Sequence, residues 1–382
     1  MKNNTNIFNE LMTRDGLGFF ENTMKILPNP DKILRKTGKT IEAYRSLKND
    51  PHVWSCIQSR KSGLLSLEYS ITPNGAATNI VNEVNSIFHE LDINRIQRDI
   101  LEAPFFGYQP LEILWKVTDG DRKFIVPADV VAKPQEWFFF DSKGIFKYRL
   151  PGEIDGVEAP EYKILNVQYE ASYTNPYGDA LLSKCYWPVT FKNGGLKFWV
   201  NFTERYGMPI LIGQYTRGAS QDEAQELADS LAGMNQDAVI VTPGDISIDL
   251  KEAVRTSSAN LYKELIKFCN SEISKAILSQ TLTTEIDMGS YAAAETHYKI
   301  RREVILSDIK LVEGVMNKLI KYIVDLNFAP PYPKFNVIIN DSENVSLVDR
   351  DLKIAQTGQV KFTKEYWMNK YGFKESEINS EF

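Results

Sequence analysis

The sequence has little of what metal sites and catalytic centres are built from. It contains three histidines and three cysteines in 382 residues. No histidine pairs with another at metal-binding spacing, and no cysteine cluster accompanies them. A Gly-rich loop ending in Gly-Lys-Ser/Thr and a Gly-x-Ser-x-Gly turn are both absent, which excludes the P-loop of ATPases and the nucleophile turn of α/β hydrolases. We therefore expect no cofactor, no metal and no catalytic residue.

One group of residues has the composition of a catalytic triad. Ser290 follows Asp287 closely and precedes His297 by seven residues. A simpler interpretation is that Ser290 caps the helix that follows, and that Gly289 provides the turn before it. We favour the capping interpretation.

Long apolar runs and an excess of positive charge are also missing. No run of about eighteen apolar residues occurs, so no membrane span is expected, and the polar residues 1–10 predict no secretory signal. The three cysteines stand far apart among apolar neighbours, which is typical of small core residues in a reducing cytosol. The net charge of −6 argues against a protein that grips DNA, but it suits a conduit whose wall repels a sliding polyanion.

What is present indicates a globular α+β protein. The 43% of hydrophobic and 25% of charged residues exclude a disordered or fibrous chain. Asp50 before Pro51 is typical of a helix start. Aromatic and β-branched runs between 105 and 173 predict strands, with a hairpin turn at 141–144. The longest predicted helix covers 292–326, where apolar residues alternate at spacings of four and three.

Acidic residues are concentrated in one short module. Two strands, 210–212 and 238–241, are predicted on either side of a helix over 220–234 that begins with a Ser-x-x-Glu capping box. Residues 217–252 hold two basic residues against eight acidic ones, a net charge of −6 that equals the charge of the whole chain. Such a surface suits either docking to a basic partner or a solubilising role. The candidate docking residues are Arg217, Asp222, Glu223, Glu226 and Asp229.

Basic residues cluster mildly on the longest predicted helix. Lys299, Arg301, Arg302 and Lys310 are candidates for a limited set of phosphate contacts. Acidic residues stand between them, so a mixed-charge exposed face is the competing interpretation.

Several stretches, in order, resemble the Mu-like phage portal family over roughly residues 45–330. They are DPHVWSCIQSRK from Asp50, YSITP from Tyr69, APFFGYQPLEILW from Ala103, NPYG from Asn175, Tyr186-Trp187 with Phe191-Lys192, FTERYGMP from Phe202, SKAILSQTLTTE from Ser274 and GSYA from Gly289. One departure is Ser279, where the family has Gly at the end of a helix.

The resemblance implies a portal fold and a domain order. The implied order of domains along the chain is an N-terminal arm (1–40), an α/β wing (41–177), a first stem helix (178–206), a clip (207–254), a second stem helix (255–280), a tunnel loop (281–288), a long wing-to-crown helix (289–330) and a C-terminal crown module (331–382). Thr281, Thr283, Thr284 and Glu285 would then line a DNA channel.

The resemblance also implies what the protein does. Portals form rings of about twelve copies at one capsid vertex, through which double-stranded DNA is packaged and ejected. The implied partners are other copies of the chain, the major capsid protein, the terminase large subunit and head-tail adaptor proteins. The implied place is the virion, after synthesis in the bacterial cytoplasm.

Two alternatives remain open at this point. One is a nucleic-acid-processing enzyme of a mobile element, in which Glu102, Glu112 and Asp119 would bind Mg²⁺. The other is a monomeric adaptor or scaffold of a phage-like particle.

Overall fold

The computed structural model describes most of the chain in two compact units. The residues described are 27, 29–119, 123–206, 211–215, 218, 220–234, 239–243, 255–281, 291–339, 345–358, 362, 363 and 366. The first unit contains residues 1–28, 59–178 and 305–382, and the second contains residues 29–58 and 179–304. This division groups residues 41–58 with the helices that follow residue 178, whereas the sequence placed them in the wing.

Eleven helices and ten strands are assigned within these ranges. The helices are α1 (Lys32–Thr37), α2 (Glu42–Leu47), α3 (Pro51–Leu65), α4 (Thr78–Glu90), α5 (Ile93–Ile100), α6 (Ala103–Phe106), α7 (Leu181–Tyr206), α8 (Gln221–Met234), α9 (Arg255–Leu278), α10 (Tyr291–Asn327) and α11 (Val345–Gln356). The strands are β1 (Tyr69–Thr72), β2 (Tyr108–Val117), β3 (Ile125–Ala132), β4 (Phe138–Phe140), β5 (Phe146–Leu150), β6 (Glu153–Glu158), β7 (Ile164–Gln168), β8 (Leu211–Tyr215), β9 (Val239–Pro243) and β10 (Lys334–Val337). None of these helices has the length and apolar character that crossing a bilayer requires.

The core of the first unit lies between its central sheet and three helices. Strand β2 pairs antiparallel with β3 on one side and β7 on the other. Its alternate residues Leu111 and Ile113 are fully buried, as the two-residue period of a strand requires. They join side chains of α4, α5 and the C-terminal half of α10 in one hydrophobic cluster. The predicted row of apolar residues on α10, with spacings of four and three, is confirmed here. Its buried members are Ile309, Val312, Met316, Leu319 and Ile323.

Local sequence signals in this unit are confirmed in part. The hairpin at 141–144 joins β4 to β5, and the Asp141 side chain accepts the backbone N–H groups of Lys143 and Ile145 at 2.9 Å each. Strand β10 was not predicted, because its four residues directly follow three prolines and are too few to show the alternation of apolar and polar residues that indicates a strand. It forms by pairing antiparallel with β1, and Phe335 of β10 stacks on Tyr69 with ring centroids 5.0 Å apart.

Helix α3 is joined to α10 in the first unit by a buried ion pair. The Arg60 guanidinium donates through Nε and Nη2 to the two carboxylate oxygens of Asp308, at 2.8 Å each. Burial alone would lower the pKa of Arg60, but hydrogen bonding and the charge of Asp308 raise it above its usual value. One turn away, a Cβ on Gly63 would stand 2.6 Å from Cδ1 of Ile305, so a larger residue at this position would require the Ile305 side chain to move.

The second unit is a hairpin of long helices with a small βαβ module between them. Helices α7 and α9 pack along each other. Pro188 lies inside α7, which nevertheless continues as one helix from Leu181 to Tyr206. Gly195 faces α9, because a Cβ there would stand 3.0 Å from Cδ2 of Leu265. Between the two helices in sequence, β8 and β9 pair in parallel, and α8 lies against both strands.

We expect Asp308→Ala to lower the free energy of unfolding by about 3–5 kcal/mol, because it leaves the Arg60 guanidinium buried without its carboxylate. The double variant Arg60→Met/Asp308→Leu removes both charges and is expected to lose less than Asp308→Ala alone. Urea denaturation of the purified variants measures both. Glu90→Gln is the matched control, because it breaks the exposed Glu90–Lys116 pair and should cost less than about 1 kcal/mol. A loss for Asp308→Ala as small as that of the control would contradict the prediction.

Candidate docking site on a helical hairpin

The acidic candidates of the module form an exposed stripe on α8. Asp222, Glu226 and Asp229 are all exposed, and their spacings of four and three place them on one face of the helix. Gln225 donates to the Asp229 carboxylate at 3.1 Å, which holds that side chain along the same face. The helix therefore presents a continuous acidic surface, which we call the acidic stripe (Asp222, Glu226 and Asp229).

Glu223 has a structural role beside this stripe. Its carboxylate accepts the backbone N–H of Ser220 at 2.9 Å, and the Ser220 hydroxyl accepts the backbone N–H of Glu223 at 3.3 Å. The predicted capping box is thus confirmed. Carboxylates in the first turn are also favoured by the helix dipole, so part of the acidity of this segment stabilises α8 itself. Arg217, the remaining docking candidate, lies outside the described residues.

The channel candidates fall largely outside the described ranges. Thr281 is described and half-buried, three residues beyond the end of α9, whereas Thr283, Thr284 and Glu285 lie outside. The end of α9 itself is clear. Ser279 has φ of 57°, in the left-handed region that favours glycine, and its N–H donates to the carbonyl of Lys275. The Gly of the family at this position therefore has a direct conformational reason.

The four basic candidates on α10 are divided between the two units. Lys299, Arg301 and Arg302 belong to the second unit and Lys310 to the first. Along an α-helix Arg301 lies about 160° away from Lys299, whereas Arg302 lies only about 60° away. Lys299 is exposed, and Arg301 and Arg302 are half-buried. Phosphate contact by these four residues stays a prediction.

The start of α3 is fixed to the hairpin by a second buried ion pair. The Asp50 carboxylate caps α3 by accepting the N–H groups of His52 and Val53, as predicted from the sequence. Its other oxygen lies 2.9 Å from Nζ of Lys192 on α7, and both side chains are more than nine-tenths buried. A single carboxylate therefore satisfies two backbone donors and a buried ammonium group.

A hydroxyl of α9 meets the same end of α3. Ser274 is fully buried, and its Oγ lies 2.8 Å from Nε2 of His52 and 3.7 Å from Sγ of Cys56. Sequence reasoning treated His52 as an isolated histidine. The only signal in the sequence that His52 would lie beside buried polar groups was its position two residues after the capping Asp50. We call this cluster of side chains the hairpin base (Asp50, His52, Cys56, Lys192 and Ser274).

The three cysteines are structural, as predicted. Cys56, Cys185 and Cys269 are all free and buried. Burial raises the pKa of the Cys185 thiol to about 12, and it raises the pKa values of the other two as well. Protonated thiols are poor nucleophiles and poor metal ligands.

The carboxylates of the enzyme alternative do not converge. Glu102 is bound by Lys61, whose Nζ lies 2.5 Å from Oε1. Burial would raise the pKa of Glu112, but Lys133 and Lys163 at 3.0 and 3.3 Å lower it instead. Within the ranges that the structure describes, no three histidine, cysteine or carboxylate side chains are grouped to hold a metal ion.

Two of the stretches that resemble the portal family meet in the first unit. Gly107, with φ of 89°, and Gly178, with φ of 76°, stand against each other through their backbones. A Cβ on Gly107 would lie 2.6 Å from the carbonyl oxygen of Tyr177. The Asn175 amide donates to the carbonyl of Gly178 at 2.7 Å and holds this turn. Both glycines are required by a close approach at positive φ.

We expect Lys192→Met to destabilise the chain by about 3–5 kcal/mol, because it leaves the Asp50 carboxylate buried without its ammonium partner. The matched control is Lys184→Met on the same helix, which breaks the exposed Lys184–Asp179 pair and should change stability by less than about 1 kcal/mol. Thermal and urea unfolding compare the two. Equal stabilities for the two variants would show that the hairpin base does not depend on this pair.

Comparison with known proteins places these features in one family. The family described as the portal protein of Mu bacteriophage matches residues 41–373. The Mu-like prophage FluMu protein gp29 of Haemophilus influenzae is 23% identical over 316 residues, covering 78% of this chain and 60% of that protein. The portal protein of Escherichia phage Mu is 25% identical over 295 residues, covering 75% of this chain and 56% of that protein. The chain thus spans well under two thirds of the length of these relatives.

Solved structures of gene transfer agent particles share the fold. A chain of the virion of a native gene transfer agent particle superimposes with a TM-score of 0.54 at 12% identity, covering 84% of this chain and 90% of that one. A chain from the neck of an empty particle of this kind, computed with C6 symmetry, gives a TM-score of 0.56 at 11% identity, covering 90% and 94%. Since the family match extends over most of the sequence, this chain belongs to the Mu-like phage portal proteins, a family of structural virion proteins rather than enzymes.

Proposed function

We propose that copies of this chain assemble into a ring at one vertex of a phage-type particle, and that DNA passes through the ring during packaging and ejection. The observation that carries the proposal is the family match over residues 41–373. The similar fold found in a particle neck computed with C6 symmetry supports a ring, and a ring of about twelve copies is compatible with sixfold symmetry. The net charge of −6 supports passage of DNA without tight binding.

The elements correspond to the parts of such a ring in the following way. Helices α7 and α9 are the two stem helices, and the β8–α8–β9 module between them is the clip. Residues 41–177 are the wing, residues 281–288 are the tunnel loop, α10 is the long wing-to-crown helix, and α11 belongs to the crown. The supporting observation is that the parallel βαβ module is inserted between two long helices that pack on each other.

The clip is the proposed docking site for the terminase large subunit and the head-tail adaptor proteins. The acidic stripe is exposed, it is continuous over two turns, and none of its three carboxylates is neutralised by a lysine or arginine among the ion pairs of the described residues. A stripe of this kind attracts a partner with a basic surface and speeds its association. The major capsid protein would contact the ring elsewhere.

Negative-stain electron microscopy of the purified chain tests the ring directly. We expect closed rings of about twelve copies with a central hole. A monodisperse species at the chain mass of 43.6 kDa would contradict the ring and favour a monomeric adaptor or scaffold. Reproducible Mg²⁺-dependent cleavage of labelled DNA in the same preparation would favour the enzyme alternative.

We expect the triple charge reversal Asp222→Lys/Glu226→Lys/Asp229→Lys to weaken binding of the terminase or adaptor at least tenfold while leaving the oligomeric state unchanged. Glu223 is kept because it caps α8. Biolayer interferometry at two salt concentrations measures the affinity, and the wild-type interaction should weaken as salt rises. The control Asp119→Lys/Glu153→Lys/Glu161→Lys makes the same charge change at exposed carboxylates of the first unit. Equal affinities for both triple variants and the wild type would contradict the docking assignment.

A further inference from the structure

The α7–α9 hairpin exposes many large apolar side chains. Trp187, Phe191 and Phe198 on α7 and Leu261, Leu265 and Phe268 on α9 are each between 38% and 70% exposed. Single exposed apolar residues are ordinary, but a contiguous set marks an interaction surface. These six side chains mark such a surface if they adjoin one another.

They form one face of the hairpin. On each helix the spacings of three, four or seven residues place the three side chains in a single row, and the rings of Trp187 and Phe191 stack with centroids 5.6 Å apart. Leu265 lies against Gly195, and Gly195 stands on α7 between Phe191 and Phe198. The two rows therefore adjoin, and we call them together the aromatic face (Trp187, Phe191, Phe198, Leu261, Leu265 and Phe268).

A second, smaller apolar surface lies on the other side of α7. Leu196 and Val200 are 39% and 55% exposed. Measured around the helix axis from Gly195, which faces α9, the three aromatic residues of α7 lie about 40–80° in one direction. Leu196 and Val200 lie about 100–140° in the opposite direction. We call this pair the aliphatic side.

The size of the aromatic face suits a protein–protein interface. Aromatic side chains expose about 150–250 Å² when free, so its four half-exposed rings alone present roughly 300–500 Å². With the leucines the face reaches the upper end of the range of about 300–600 Å² that the largest apolar patch of a monomer covers, and patches of that size are often functional. DNA is not a suitable occupant, because none of these six side chains carries the positive charge that neutralises phosphates.

We propose that the occupant is a second copy of this chain, and that the aromatic face of one copy packs on the aliphatic side of the next. This rests on the proposed ring. A ring needs a heterologous contact, in which two different surfaces on opposite sides of a subunit meet. The hairpin carries two such surfaces, of large rings on one side and of smaller aliphatic groups on the other. An interface built this way repeats from copy to copy until the ring closes.

The test uses the full chain with one surface altered at a time. Phe191→Ser/Phe198→Ser/Phe268→Ser removes the aromatic face, and Leu196→Asp/Val200→Asp removes the aliphatic side. Each variant alone should lose rings at least tenfold in mass photometry, with circular dichroism and thermal unfolding close to wild type because the altered side chains are exposed. Trp54→Ser/Trp137→Ser/Tyr173→Ser is the matched control, with three aromatic residues of similar exposure elsewhere, and should form rings.

A mixture of the two defective variants makes the test specific. Each variant keeps the surface that the other lacks, so one contact is restored and the pair should form dimers of twice the 43.6 kDa chain mass but no rings. Rings from either variant alone, or a mixture that stays monomeric, would overturn this interface and leave the ring proposal intact. A wild-type chain that forms no rings would instead overturn the ring proposal, and this inference with it.

Discussion

Helix α3 contributes to one buried ion pair in each of the two units, and each pair holds its end of the helix against another helix of the same unit. At its first turn Asp50 caps the helix and binds Lys192 of α7. Further along, Arg60 binds Asp308 of α10 through two parallel hydrogen bonds. Hydrophobic contacts tolerate some sliding of one helix on another, whereas a bidentate guanidinium–carboxylate contact has one geometry. The Arg60–Asp308 pair therefore fixes the position of α3 along α10 in the first unit.

Such pairs contribute more to specificity than to net stability. Removing a carboxylate and an ammonium group from water costs several kcal/mol, which their attraction in the interior only roughly offsets. The alternative arrangements of the chain are penalised far more, because they would leave one of these charges buried alone. Two glycines also allow neighbouring helices to approach closely. Gly63 lies against Ile305, and Gly195 lies against Leu265.

Local signals in the sequence predicted the ends and types of elements well. The Asp50 cap, the Ser220–Glu223 capping box and the 141–144 hairpin depend on residues a few positions apart, so the sequence contains all of the information. The antiparallel pairing of β1 with β10, from Tyr69 to Val337, depends on contacts across the chain and had no local signal. The portal resemblance implied the family, which the match over residues 41–373 confirms and which periodicity alone did not indicate.

The apolar stripes of the long helices show where a pattern misleads. Six apolar residues of α9 follow one another at helical spacing in the sequence, namely Leu261, Leu265, Phe268, Cys269, Ile273 and Ile277. In the structure Cys269, Ile273 and Ile277 are buried, whereas Leu261, Leu265 and Phe268 are exposed. Sequence periodicity shows that apolar residues lie in a row along a helix. It does not show whether that row is buried within the chain or exposed on its surface. The acidic stripe of α8 was predictable because the density of acidic residues is read directly from the sequence.

The burial of all three thiols has a practical consequence for a particle that leaves its host. A thiol whose pKa is about 12, as for Cys185, carries almost no thiolate at neutral pH. Oxidation and disulfide exchange both begin from the thiolate. Because its three thiols are all buried, the chain has no ready route to disulfide cross-links between copies when its surroundings become oxidising.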